Sequence, residues 1–254
     1  MNVAAIPPDK TEPLVPPPRR RWGPWATTAF ALAATVLMGA AQTAGVFVYM
    51  LWWNGAHPDE PIRVQDLQSN GPALATAFAV SAPLIVGFIA LAVKWSREDF
   101  NEYLGLRWPS SRDALIGAAT IAGVLALAGT AASLLEIETP AFAGDTYSSA
   151  AKAGFLPLYV VAFTVLAPVQ EEILFRGFLY RGFAPSFGPL PAIVFLSAIW
   201  AVFHVQYEWF FVGEIFALGL AFGWLRWRSG SLPLTMGLHM AVNGLAMIAA
   251  SLGD

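Results

Sequence analysis

Seven runs of apolar residues follow one another along the chain, near 25–53, 72–94, 114–135, 155–180, 190–206, 209–226 and 232–251. About 20 residues in helical form cross the ~30 Å hydrocarbon core of a bilayer. A soluble helix would carry a polar stripe at 3.6-residue spacing, and the runs at 72–94 and 114–135 carry none. The pattern predicts an all-α, polytopic membrane helical bundle with about seven transmembrane helices. Two of the runs are less regular. The fourth is interrupted by Pro168 and a charged motif, and the fifth is short.

Charge gives the bundle a direction. With the N-terminus cytoplasmic, the inner side receives Lys10, Arg19, Arg20, Arg21, Lys94, Arg97, Arg107, Arg112, Arg176, Arg181, Arg226 and Arg228. The outer side then receives only Arg63 and Lys152. Twelve of the fourteen basic residues lie inside, as the positive-inside rule requires. Tryptophans fall at the predicted interfaces, with Trp52, Trp53 and Trp209 outside and Trp95, Trp108, Trp224 and Trp227 inside. Residues 95–109, which mix charge with Phe100, Tyr103, Leu104 and Leu106, read as an inner interfacial helix or loop.

Composition agrees: 57% of the 254 residues are hydrophobic and 12% charged, about half the charge of a typical soluble domain. Mean hydropathy is +0.58. The absence of cysteine removes disulfides, thiolate nucleophiles and Cys-ligated zinc. Residues 1–21 hold six prolines and end in Arg19-Arg20-Arg21, which predicts a disordered, Pro-rich basic tail. The apolar run after it exceeds the 7–15 residues of a signal-peptide core and reads as a retained span. Three parts are expected: this tail, N-terminal helices with the interfacial segment over 22–150, and a catalytic core over 151–254.

A few polar residues stand where hydrocarbon is expected: Glu171, Glu172 and Arg176 in the fourth run, His204 in the fifth, Glu214 in the sixth, His239 and Asn243 in the seventh. An ionised side chain at the bilayer centre costs about 2.5–3.5 kcal/mol on insertion scales, so such residues are functional candidates. Glu172 and Arg176 are four apart and share a helix face, where they form either a neutralising structural pair or part of a site. Glu171 is turned about 100° away and has no local partner. His239 and Asn243 project from one face together. Counted at 1.5 Å per residue from the inner ends, Glu171 lies roughly 14 Å deep, His239 about 12 Å and His204 about 20 Å. The three can meet in one layer. Glu214 is a secondary candidate nearer the outer surface, and His57 reads as an ordinary loop histidine.

The motifs Glu171-Glu172-Ile173-Leu174-Phe175-Arg176, Trp200 with His204, and His239-Met240-Ala241-Val242-Asn243 together resemble the EExxxR, FxxxH and HxxxN of the CPBP intramembrane proteases, also called the CAAX prenyl protease 2 or Abi family. Trp200 stands where that pattern has Phe. The resemblance spans about 151–254 and implies peptide-bond hydrolysis within the membrane. By analogy Glu171 is the general base with His204 helping to activate water, and His239 and Asn243 serve the oxyanion. Arg176 would neutralise the acidic pair, with Glu172 in support. Either no cofactor is required, or Glu171, His204 and His239 hold a divalent metal such as Zn with water in the fourth position. The sequence has no HExxH, GxS or GxGD motif.

The expected partners are a membrane-associated protein or peptide substrate and the bilayer, with no nucleic acid. The expected location is a prokaryotic cell (inner) membrane. Two rival readings stay open: a non-proteolytic scaffold or immunity-type protein of the same family, and a transporter relaying protons through Glu171, Glu172 and the histidines.

Overall fold

The computed structural model describes residues 22–138 and 140–252. The tail expected over 1–21 lies outside the described residues. Among them there is no strand, and nine helices carry the fold: α1 (Pro24–Ala56), α2 (Gly71–Trp95), α3 (Phe100–Leu104), α4 (Ser111–Leu134), α5 (Ala141–Lys152), α6 (Leu156–Phe187), α7 (Pro189–Val202), α8 (Trp209–Ser229) and α9 (Leu232–Leu252). A single 3₁₀ stretch, Val64–Ser69, joins α1 to α2.

Six of these, α1, α2, α4, α6, α8 and α9, are long and apolar enough to cross a membrane. The chain is an all-α, polytopic bundle. The fifth apolar run forms only the 14-residue α7, about 21 Å long, which is shorter than the ~30 Å core. Residues 203–208 then turn into α8.

Local chemistry sets the helix starts. Asn70 Oδ1 accepts the Ala73 N–H at the start of α2 and Asp99 Oδ1 the Glu102 N–H at α3. Ser110 Oγ accepts the Asp113 N–H at α4. Each satisfies a donor that the first helical turn leaves open. Small residues bring α1 and α2 together. A Cβ on Gly45 would stand 3.0 Å from the Ala77 Cα, so glycine lets the two backbones approach where lipid offers no hydrophobic drive.

The fourth run corrects the sequence reading. Pro168 and the charged motif do not interrupt the helix, and α6 runs unbroken from Leu156 to Phe187. The strain is absorbed by two π-helical stretches, Ala162–Leu166 and Ile173–Leu179. A proline ring clashes with the carbonyl four residues back, and the wider π register just before Pro168 relieves that clash. The Ala167 N–H accordingly bonds the Ala162 carbonyl, five residues back.

One apolar core crosses the boundary expected at 150/151. Ile85 and Ile89 of α2, Phe178 of α6, Phe222 and Leu225 of α8 and Leu232 of α9 are all fully buried within it. Residues 95–109 are more embedded than an interfacial loop. Tyr103 and Leu104 of α3 are buried, with Tyr103 stacked on Phe178 at 5.8 Å. The segment is laced to the α8–α9 turn. Leu232 N–H donates to the Gly105 carbonyl at 2.9 Å, Arg107 Nη2 to the Ser229 carbonyl at 2.9 Å and Ser231 Oγ to the Arg107 carbonyl at 2.6 Å. Asp113 pairs with Arg228. Deeper in the bundle, Ser81 Oγ of α2 donates to Gln170 Oε1 of α6 at 3.0 Å.

Candidate active site

The two neighbouring glutamates of α6 face different surroundings. Glu172 is fully buried. Its Oε1 accepts from Arg176 Nη1 at 2.9 Å and lies 3.2 Å from His239 Nδ1 of α9. Arg176, 4% exposed, also reaches the Gly219 carbonyl of α8 at 3.4 Å. Buried charges need partners of this kind, because desolvation alone costs several kcal/mol per ion. A carboxylate can only accept, so His239 donates from Nδ1 and turns Nε2 elsewhere.

Glu171 is half-buried; it interacts with Arg176 through space but makes no direct ion pair with it. Its Oε2 accepts the indole N–H of Trp200, on α7, at 2.7 Å. His204 lies one turn beyond Trp200, with Nδ1 2.8 Å from the Trp200 carbonyl. That oxygen has no proton to give, so His204 Nδ1 carries a hydrogen, and in the neutral ring the lone pair is then on Nε2.

Trp200 therefore sits at the centre of the constellation. Its ring centroid is 5.2 Å from the His204 ring and 5.3 Å from the His239 ring, both edge-on. The Arg176 guanidinium lies over it at 4.3 Å, and Phe222 stacks against His239 at 5.3 Å. Close packing of α7 on α8 makes this arrangement possible: a Cβ on Gly219 would stand 2.9 Å from the Ser197 Cβ.

Asn243, the next turn along α9 from His239, is bonded elsewhere. Its Nδ2 donates to the Phe163 carbonyl of α6 at 2.8 Å. In the π register set by Ala167, the residue addressing that carbonyl would be Pro168, which has no N–H. Asn243 supplies the missing donor and keeps a second amide N–H.

The structure thus gathers Glu171, His204 and His239 around one indole, and assigns His239 to Glu172 rather than to Glu171. Among the described residues, no three His, Asp or Glu side chains are grouped so that they could hold a metal ion. As arranged, Glu171, His204 and His239 do not fit a three-ligand zinc set. Glu214, half-buried on α8, forms no hydrogen bond or ion pair among the described residues. His57 stacks on Trp53 at 4.0 Å in its loop.

Two participants escaped the sequence reading. Trp200 stands in the pattern only as an aromatic, whereas its indole N–H is the side-chain donor that meets Glu171. Tyr207, three residues past His204, lies parallel to the imidazole with ring centroids 6.4 Å apart. Burial, with Tyr159 and Glu171 nearby, pushes its phenol up to about 12, so it stays a hydrogen-bond donor at neutral pH. Beside it a cavity of about 570 Å³ opens between Ile137, Val205, Glu208, Trp209 and Phe210. It lies at the end of the bundle where α7 ends and α8 begins.

Helices of this length and composition, joined in one bundle, make the chain an integral multi-pass membrane protein. Within it, residues 153–245 match the family model described as type II CAAX prenyl endopeptidase Rce1-like. The match takes in all three motifs and is consistent with a protease of the CPBP family. No curated protein and no solved structure matches the chain.

Proposed function

We propose that this protein is an intramembrane endopeptidase that hydrolyses a peptide bond of a membrane-associated protein or peptide. The observation carrying the reading is the division of labour between adjacent carboxylates. Glu172 is bonded directly to Arg176 and His239, whereas Glu171 bonds directly to neither and is joined through Trp200 to the His204 imidazole. A neutralising pair alone would need one glutamate.

In the proposed reaction a water lies between Glu171 and His204 Nε2. Glu171 takes a proton from it as the oxygen attacks the scissile carbonyl carbon, forming a C–O bond and a tetrahedral oxyanion. His239, held through Nδ1 by Glu172, faces that oxyanion with Nε2 and donates to it when that nitrogen carries a proton. The remaining Asn243 N–H is the second donor. Collapse breaks the C–N bond, and the proton held by Glu171 passes to the leaving amine. The products are a carboxylic acid and an amine, which exchange a proton to leave as carboxylate and ammonium. Arg176 keeps Glu172 ionised and in place.

The family description names CAAX prenyl endopeptidases, so a prenylated CAAX peptide is the first substrate to try, alongside the membrane proteins of the host cell. The bias of basic residues favours a cytoplasmic N-terminus in a prokaryotic inner membrane. The test is cleavage by the purified protein in proteoliposomes, with Glu171→Gln and His204→Ala beside it. Removing the general base lowers kcat by about 10²- to 10⁴-fold. In cells, an uncut precursor accumulates in the Glu171→Gln strain. No cleavage by the wild-type protein in proteoliposomes, together with unchanged processing in the Glu171→Gln strain, would leave a non-proteolytic scaffold as the better reading.

A further inference from the structure

We propose that Trp200 is the positioning residue of this site, orienting the base with its side chain and the imidazole with its main chain. The inference rests on the protease reading and deepens it. The indole Nε1 is a donor with no acceptor capacity, and Trp200 is only 3% exposed. A buried indole N–H must find a protein acceptor, and it finds Glu171 Oε2 at 2.7 Å. With that oxygen engaged, Oε1 is the one left to meet a water. The carbonyl of the same residue takes the His204 Nδ1 hydrogen at 2.8 Å, which selects the tautomer whose Nε2 accepts.

The ring itself is held in place. The Arg176 guanidinium covers one region of it at 4.3 Å, Phe222 packs at 6.1 Å, and the His204 and His239 rings meet it edge-on. A carboxylate on a free side chain samples several rotamers, and this one is tied to a ring that cannot turn. Phenylalanine in the same place would preserve most of this packing and remove the hydrogen bond. Trp200 does not touch the reacting atoms. It acts by fixing where Glu171 points.

Trp200→Phe separates this role from simple packing. The expected result is a kcat lowered by about ten- to a hundredfold, the size of one charge-assisted hydrogen bond, with KM within about twofold of wild type. A second readout needs no turnover. In ¹⁵N-labelled protein, one of the ten indole N–H signals moves when Glu171 is replaced by Ala, and the same signal is absent from Trp200→Phe. Wild-type turnover in Trp200→Phe beside an inactive Glu171→Gln overturns the proposal and leaves the protease reading standing. Indole signals unmoved by Glu171→Ala overturn it whether or not the Phe variant folds. Absence of any cleavage by the wild-type protein overturns both.

Discussion

Glu171 and Glu172 differ by a single helical step of about 100°, and that rotation is enough to send them to different neighbours. Glu172 meets a guanidinium and an imidazole that are buried with it, where truncating one partner strands the other charge. Arg176→Met is therefore expected to destabilise the protein by about 3–5 kcal/mol. Adding Glu172→Gln should recover much of that loss, because both charges are then gone. Denaturant unfolding of the two variants in detergent checks it, and equal loss in both would contradict the pairing. At this scale the sequence carried a good deal. The i, i+4 pairing of Glu172 with Arg176 and the different face taken by Glu171 were readable from positions alone. The bond between His239 and Glu172 was not, because it joins helices 67 residues apart. Nor was the indole N–H, which a pattern of apolar and polar letters counts as hydrocarbon.

Helix α6 shows what such a pattern cannot record. Inserting a π stretch changes which carbonyl each N–H meets but leaves the run of Val, Phe and Leu just as apolar. The proline that looked like a break is instead carried by the wider register, and the open carbonyl at Phe163 is closed from α9 by Asn243. A double-mutant cycle follows. Asn243→Leu should cost about 1–3 kcal/mol by leaving that carbonyl buried and unpaired. In a Pro168→Ala background the new alanine N–H can take the carbonyl, and the cost of Asn243→Leu should shrink to a fraction of that value. Equal costs in the two backgrounds would show that Asn243 and Pro168 are not coupled. The apolar runs themselves were located to within a few residues, except that α6 extends to Phe187 and α7 ends at Val202, because helix ends are set by caps and packing rather than by hydropathy.

For the molecule as a whole, the direction of insertion can be tested without background labelling, because the chain has no cysteine. With the N-terminus cytoplasmic, a thiol introduced by Asp59→Cys reacts with an impermeant reagent in intact cells. One introduced by Arg112→Cys reacts only after permeabilisation. The reverse pattern would invert the assignment. Alkaline stability gives a second test. The Tyr207 phenol ionises near 10 in the unfolded chain and near 12 in the folded one. Its contribution is complete below pH 10 and disappears as pH rises toward about 12. Burial raises Tyr103 in the same direction. Over that interval the Tm of wild type should fall more steeply than that of Tyr207→Phe, and parallel curves would count against a buried phenol.

The lacing between α3 and the α8–α9 turn, with the Ser81 and Asp113 contacts, bears on how the region 153–245 could be isolated. Every one of those ties runs from residues upstream of 153 to residues within 153–245. Cutting the gene at the edge of the matched region would sever them all and uncover the apolar wall contributed by α2. A minimal active fragment has to begin no later than Gly71, and shorter versions should be cleared by the cell's quality-control proteases before any catalysis could be assayed.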